Sequence, residues 1–484
     1  MTATRRTILK VAIQGAMAVP VASALVGCST AAVKGVSETQ NDWLKAQAIR
    51  DAIIVPQFAS RDFDIREYGA KPGGQFDCSQ AIAKAIKSCN EAGGGRVVID
   101  GGVFLTGPIH LLSNVELHVA EGATLKFVTD PKRYLPEVLT RWEGMELMGY
   151  SPLIYAYKQK NIAVTGSGTL DGSANNETWW PWKGPHKERH WVLLDGEDQK
   201  PARMKLMQDM EDNIPVEKRR YSEGAYLRPP LFQPYECQNV LVDGLTIKDS
   251  PFWLLNPVLC QHVTVRNVNL DSHGPNSDGC NPESCDFVLI ENCTFNTGDD
   301  CIAIKSGRNA DGRRIGVPSQ NIVIANCMMK DGHGGVVIGS EISGGVNNVF
   351  VENCQMDSPL LERAIRIKTN SVRGGLIEHI RVRNVDVGKV QNAVVVNFYY
   401  EEGDAGKFDP TVRDIVIENL HCEDVIKKPL NLQGFERAPM SDITLRNCHF
   451  DKAGEKSIVK NINNMILENV TIAGQSVTLK DVMS

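Results

Sequence analysis

Four short polar groups recur in the second half of the chain: Asn276-Ser277-Asp278, Gly298-Asp299-Asp300, Gly332-His333-Gly334 and Arg366-Ile367-Lys368. Together they offer three carboxylates, an imidazole, a guanidinium and an ammonium. Carboxylates a few ångströms apart suit acid and base catalysis on a glycosidic bond. One must hold a proton for the leaving oxygen, and like-charged neighbours raise its pKa and help it do so. Another must be ionised to act on water or on the sugar. Carboxyl separations of about 6.5–9.5 Å go with inversion and about 5–5.5 Å with retention. Stacked acids leave room for a water between Asp299 and either Asp278 or Asp300, so inversion is expected. His333 could set the protonation of a neighbouring Asp or hold a substrate hydroxyl. Arg366 and Lys368 alternate with Ile365 and Ile367 and share one strand face. A guanidinium beside an ammonium suits a substrate carboxylate, which points to a uronic acid polymer. Each group alone also reads as a turn, a tight bend or a solvated face. It is the set of four on successive repeats that carries the chemical reading.

The repeats must bring these groups together. Each is an alternating apolar run closed by an Asn five residues after its start, as in His262-Val263-Thr264-Val265-Arg266-Asn267. The closing residues Asn267, Asn292, Asn326, Asn353, Asn384, Asn419, Asn447 and Asn469 lie 25, 34, 27, 31, 35, 28 and 22 apart. Periods of this size mean a solenoid, and the period-2 alternation with β-branched residues means strands. The fold class is therefore all-β, a parallel β-helix, with coils about 4.8 Å apart. Asp278, Asp299, Asp300 and His333 fall 16, 12, 13 and 12 residues after their repeat starts, and Arg366 and Lys368 fall 18 and 20 after theirs. Stacking would gather them into one patch.

Length and charge set limits. The chain has 484 residues and a net charge of −6. A solenoid grows by adding coils, so this length fits one domain. No basic footprint for nucleic acid exists, and an anionic substrate has to be met by local cations. Of the 13 cysteines, Cys293, Cys327, Cys354 and Cys448 each follow a closing Asn, where other repeats carry Val or Leu. They read as small core hydrophobes, with no ligand spacing for a metal. No metal and no cofactor are expected.

The first residues read as an address. Thr4-Arg5-Arg6-Thr7-Ile8-Leu9-Lys10 is a twin-arginine pattern, an uncharged apolar segment follows, and Leu25-Val26-Gly27-Cys28 is similar to a lipobox. The expectation is export to the periplasm or cell envelope, with a lipid on Cys28 as the sole membrane link. Residues 1–27 are the signal, 28–60 a tether and lead-in, and 61–484 a single parallel β-helix catalytic domain, expected as a monomer. Asp77 reads as the N-cap of a helix carrying Ile82, Ala85, Ile86 and Cys89 on one face and stopping at Gly93-Gly94-Gly95. It would cap the solenoid. Residues 172–236 break the pattern as an insertion with Trp179, Trp180, Trp182 and Trp191 and a helical stretch near 204–210. The Trp residues read equally as a cleft wall and as anchors.

The four groups resemble glycoside hydrolase family 28, the polygalacturonases and their relatives. The family pattern is Asn-Thr-Asp, Gly-Asp-Asp, Gly-His-Gly and Arg-Ile-Lys, and Ser277 for Thr is the single departure. The likeness runs from about residue 63 to the end, including Leu105-Thr106-Gly107-Pro108 and Ser250-Pro251-Phe252-Trp253. The resemblance implies a right-handed β-helix and inverting hydrolysis of α-1,4-linked galacturonate. It implies Asp299 as general acid, Asp278 and Asp300 holding the attacking water, and His333 in support. It implies Arg366 and Lys368 on the substrate carboxylate, with Asn276 and Tyr400 also substrate-binding. Tyr400 comes from the looser match Tyr400-Glu401-Glu402-Gly403. His333 favours homogalacturonan, because the rhamnogalacturonan hydrolases of the family tend to lack it. The insertion resembles those of bacterial exo-acting members. Other readings stay open: a different acidic or decorated pectic polysaccharide such as rhamnogalacturonan or xylogalacturonan, a Ca²⁺-dependent pectate lyase, and a non-catalytic carbohydrate-binding solenoid.

Overall fold

A six-residue apolar run too short to bury its side chains alone must find a partner above and below. The computed structural model describes residues 38–184 and 194–483. Its runs stack as parallel strands in register. Val263, Val288, Ile322, Val349, Ile380, Ile415, Ile443 and Met465 form one buried column across eight coils. A second face runs the length of the stack through Ile109, Ile154, Phe232, Leu255, Cys280, Ile302, Val336, Ile365, Val394 and Leu430, again parallel throughout. The core lies between these faces.

The closing Asn is the corner of each coil. Asn267, Asn292, Asn326, Asn353, Asn384, Asn419, Asn447 and Asn469 all have φ between 49° and 56°. That left-handed conformation costs an L-residue about 1–2 kcal/mol, least for Asn, whose short side chain can hydrogen-bond nearby. From Asn353 onward the partner is the same residue of the neighbouring coil. Asn384 donates to Asn353 at 3.1 Å, Asn419 to Asn384 at 3.0 Å, Asn447 to Asn419 at 3.1 Å and Asn469 to Asn447 at 2.9 Å. The run starts His262, Asn321, Asn348 and Asp414 are left-handed too, so each run is bent at both ends.

Helix α1 (Glu38–Ala52) departs from the expected tether. From Asp42 onward it lies on the outer side of the sheet, with Trp43, Ala46 and Ile49 against Val323 and Phe350. Trp43 Nε1 donates to Glu418 at 3.0 Å, and Arg50 pairs with Glu352 at 2.7 Å. Helix α2 (Ser79–Glu91) buries Ala81, Ile82, Ala85, Ile86 and Cys89 against the first coil. It starts one residue later than expected: Cys78 holds the cap position, and Asp77 accepts the Ser79 N–H at 3.0 Å. Twelve cysteines are described, all buried and free, as small core residues should be. The twin-arginine pattern, Cys28 and Trp191 lie outside the described residues.

The insertion differs in two ways from its sequence reading. It ends early, because Phe232–Tyr235 is a strand of the second face, paired with Ile154–Tyr157. It is also joined by an unexpected antiparallel hairpin, Val138–Trp142 with Met145–Gly149, to which Arg220–Tyr221 adds a strand. Helix α3 (Lys200–Glu211) packs on this hairpin through Leu206 and Met210, with Phe252 and Trp253 beneath.

Replacing Asn419 by Ala removes both the side chain that tolerates the corner and a rung of the ladder. The expected loss is about 1–2 kcal/mol, read as a lower urea midpoint at unchanged slope. Asn419→Gly, which relieves the backbone and loses only the two ladder bonds, to Asn384 and from Asn447, should lose less. Equal losses for the two variants would contradict this account of the corner.

Candidate active site

Asp278 and Asp300 each stand two residues before a paired position of the second face, Cys280 and Ile302. The stacking that aligns those two residues therefore aligns the carboxylates. Asp299 precedes Asp300 and turns to His333 on the next coil, whose Nδ1 is 2.9 Å from its Oδ1. One oxygen from each of Asp278, Asp299 and Asp300 lies within 4.8 Å of the others. That limit lies below the ~6.5–9.5 Å usual for inversion. The spacing argument for inversion thus finds no support in the geometry.

Arg366 and Lys368 do not share the acids' point of the turn. Ile365 pairs with Val336 and Arg366 with Val337, so both cations lie farther along the strand, and Arg363 is nearer the acid row. They reach back instead: Lys368 Nζ is 2.6 Å from Asp300 Oδ2, and Arg366 Nη1 is 3.5 Å from Asp300 Oδ1. The Tyr400 ring lies 5.4 Å from the Arg366 guanidinium and 5.2 Å from the Lys368 ammonium. Asn276 accepts from Arg228 at 2.8 Å. All eight expected pocket residues line one cavity of about 380 Å³. Ser277 does not enter it. Its hydroxyl is shared between the carbonyls of Ser272 and Gly274 and accepts the Gly298 N–H at 3.1 Å, a backbone task that Ser and Thr can both perform.

Burial divides the protons. It pushes Asp278 up to about 8, with the charges of Asp299 and Asp300 adding to the effect and Lys305 opposing it. Burial also works against the Asp299 anion, but His333, Lys368 and Lys305 outweigh it and hold that carboxyl low. His333 is pushed up to about 9, chiefly by the charge of Asp299, against its own burial. These directions favour a protonated Asp278 beside a His333 imidazolium paired with an Asp299 carboxylate. Tightly coupled groups titrate as a set, so a proton of this set can reach Asp299 through the 2.9 Å contact to His333.

Several pocket residues escaped the sequence reading. Lys305 sits 3.5 Å from Asp278 and 3.0 Å from Glu341, with its ammonium 4.5 Å from the Trp253 ring centre. Its signal was a charge directly after the buried strand Ile302–Ile304. Arg308 bridges Glu143, at 2.8 Å, and Glu341, at 3.4 Å. The Trp residues act as anchors: Trp179 and Trp182 are buried with Tyr134 and Tyr150, and Trp180 donates to the Ser250 carbonyl at 2.9 Å. Their neighbour Lys183, with Arg203 and Glu143, forms part of the pocket wall.

Comparison with known proteins agrees with this geometry. Residues 219–472 match the family described as glycosyl hydrolases family 28. A solved structure described as a hyperthermoactive exopolygalacturonase from Thermotoga maritima is 43% identical, covers 90% of this chain and 96% of that one, and superposes with a TM-score of 0.86. The exo-poly-alpha-D-galacturonosidase of Dickeya chrysanthemi is 25% identical over 75% of this chain and 62% of its own length. The endo-polygalacturonase of Pectobacterium carotovorum subsp. carotovorum is 26% identical over 77% of this chain and 84% of its own length.

The His333 pair links stability to pH. Its folded pKa of about 9 lies above the ~6.5 of an unfolded His. The pair's stabilisation is therefore fully present below about pH 6.5 and lost as pH rises through about 9. Melting curves of the native protein and His333→Gln should differ most near pH 6 and converge above pH 9. A gap independent of pH would contradict the ion pair.

Proposed function

The chain belongs to glycosyl hydrolase family 28, and from that membership we propose that it hydrolyses the α-1,4 bonds of polygalacturonate, releasing sugar from a chain end. The observation that carries this reading is the three-carboxylate cluster with Arg366 and Lys368 beside it. The substrate carboxylate takes over the two cations that pair with Asp300 at rest. His333 hands its proton across their 2.9 Å contact to Asp299, which passes it to the leaving oxygen. Asp278 and Asp300 flank the attacking water, and Asp300, freed of its two cations by the substrate, accepts the proton that the water loses. Lys305, held by Glu341, keeps Asp278 oriented and balances the charge of the cluster. Tyr400 and Asn276 bound the sugar on either side of the acids. Inversion follows the family reading, not the carboxylate spacing.

End-wise attack is supported by the wall that Glu143, Lys183 and Arg203 add to the pocket and by likeness to the Thermotoga exopolygalacturonase. A Ca²⁺-dependent lyase is disfavoured by charge: the carboxylates that would cage the ion already pair with Lys305, Lys368 and His333. Action as a monomer is supported by covered ends, with α2 over the first coil and the short helix Leu479–Val482 against the last. Export is supported by the twin-arginine pattern and by twelve buried free thiols, which suit a chain that folds where thiols stay reduced before it leaves the cytoplasm. A lipid on Cys28 would then hold the enzyme at the cell envelope.

Two measurements test the chemistry. Asp299→Asn should lower kcat on trigalacturonate by about 10²–10⁴-fold with little change in KM, since it removes a proton needed only in the transition state. Proton NMR of the first product should show the β-anomer from the α-linked substrate. An α-anomer at the earliest times would replace inversion by a double displacement through one of the clustered carboxylates.

A further inference from the structure

The pocket wall carries seven carboxylates and seven Lys or Arg side chains. Six of those cations are ion-paired with acids of the same pocket. Lys183 is the exception: among the described residues it has no carboxylate within pairing distance, and its side chain is exposed. An exposed lysine is ordinarily just solvated. This one ends a turn that is fixed on the site. It closes the short helix Trp180–Lys183, in which Trp182 is buried and donates to Glu197 at 2.7 Å. The Trp182 carbonyl accepts from Gln199 at 2.9 Å, the Gln199 side chain accepts from Arg228 at 3.2 Å, and Arg228 holds Asn276 at 2.8 Å. Desolvation lowers the Lys183 pKa, with Arg228 and Arg203 adding to the effect and the acids Glu143 and Asp299 opposing it. The turn that carries Lys183 is thus fixed beside the acid row from the insertion side, while Arg366 and Lys368 approach from the later coils.

Substrate chemistry asks for such a group. A bond between two galacturonates has a carboxylate on each flanking sugar, and Arg366 with Lys368 faces one of them. The wall's acids and bases balance in number. A protonated His333 and one protonated carboxyl of the cluster leave a surplus of two positive charges, matching two substrate carboxylates. We propose that Lys183 is a specificity-determining residue that binds the carboxylate of the sugar on the insertion side of the scissile bond, opposite the sugar held by Arg366 and Lys368. This rests on the reading of the site as a galacturonan hydrolase. Because the group comes from the insertion and not from a coil, it ties recognition of the chain end to the segment that walls the pocket.

The test compares the native protein with Lys183→Met, which keeps the stem and removes the charge, and Lys183→Arg, which restores it. Trigalacturonate is the substrate, and galacturonate and neutral galactose are competing inhibitors. Lys183→Met should raise KM about 10- to 100-fold, the worth of one charge-assisted hydrogen bond, with kcat changed less than threefold. It should also lose the preference for galacturonate over galactose as inhibitor, and Lys183→Arg should recover most of both. A KM within twofold of native, or a preserved preference for galacturonate, would overturn the assignment. If the Met variant fails to fold, Lys183→Gln gives the same readout. A native protein that does not cleave trigalacturonate sinks the hydrolase reading itself, whereas native cleavage with an unaffected Met variant sinks only the role of Lys183.

Discussion

Every distance in the pocket depends on coils stacking in register. A parallel strand pair fixes neighbouring coils about 4.8 Å apart and allows no sliding, because a one-residue slip would turn the buried column to solvent. The Asn corners enforce the same register from outside, since an Asn ladder works only when left-handed residues lie directly above one another. Asp278 and Asp300 are brought together by this constraint and not by attraction, which between two carboxylates is absent. Mutual repulsion and burial then decide how the cluster holds its protons.

That repulsion is offset locally. Buried charges are tolerated when paired and hydrogen-bonded, and breaking one such pair costs several kcal/mol. Lys305, Lys368 and His333 supply the pairing at the acids, and Glu143, Arg203 and Arg308 continue the network into the wall. The network makes the pocket rigid and suited to an acidic sugar. It also accounts for the resting state, in which Asp299 is an anion and its proton waits on His333. A general acid identified by family pattern is therefore fed by an imidazolium to which the same pattern gives only a supporting part.

Much of this was legible in the chain because a solenoid repeats its own rules. The Asn mark is a backbone requirement, so it recurs wherever the corner recurs, and the motifs at matching offsets had to converge. What failed to show were features without a repeat. Arg366 and Lys368 looked level with the acids because loop length hides the register, which only pairing with Val336 and Val337 fixes. The hairpin of Val138–Trp142 with Met145–Gly149 is one short pair whose partner, Arg220–Tyr221, lies far along the chain. Helix α1 docks where Val323 and Phe350 turn apolar side chains outward, a small local break in alternation. Lys305 and Arg308 were silent because their partners Glu341 and Glu143 come from separate coils and loops.

The central claim is that this cluster, walled on one side by the insertion, hydrolyses galacturonan from its end. The most direct measurement is the early time course of a polygalacturonate digest with EDTA present, products separated by size and read for ultraviolet absorbance. Saturated galacturonate or its dimer should dominate from the first points, with polymer length falling slowly. A ladder of mid-sized oligomers would contradict end-wise attack, and an unsaturated product or full loss of activity with EDTA would contradict hydrolysis by the carboxylates.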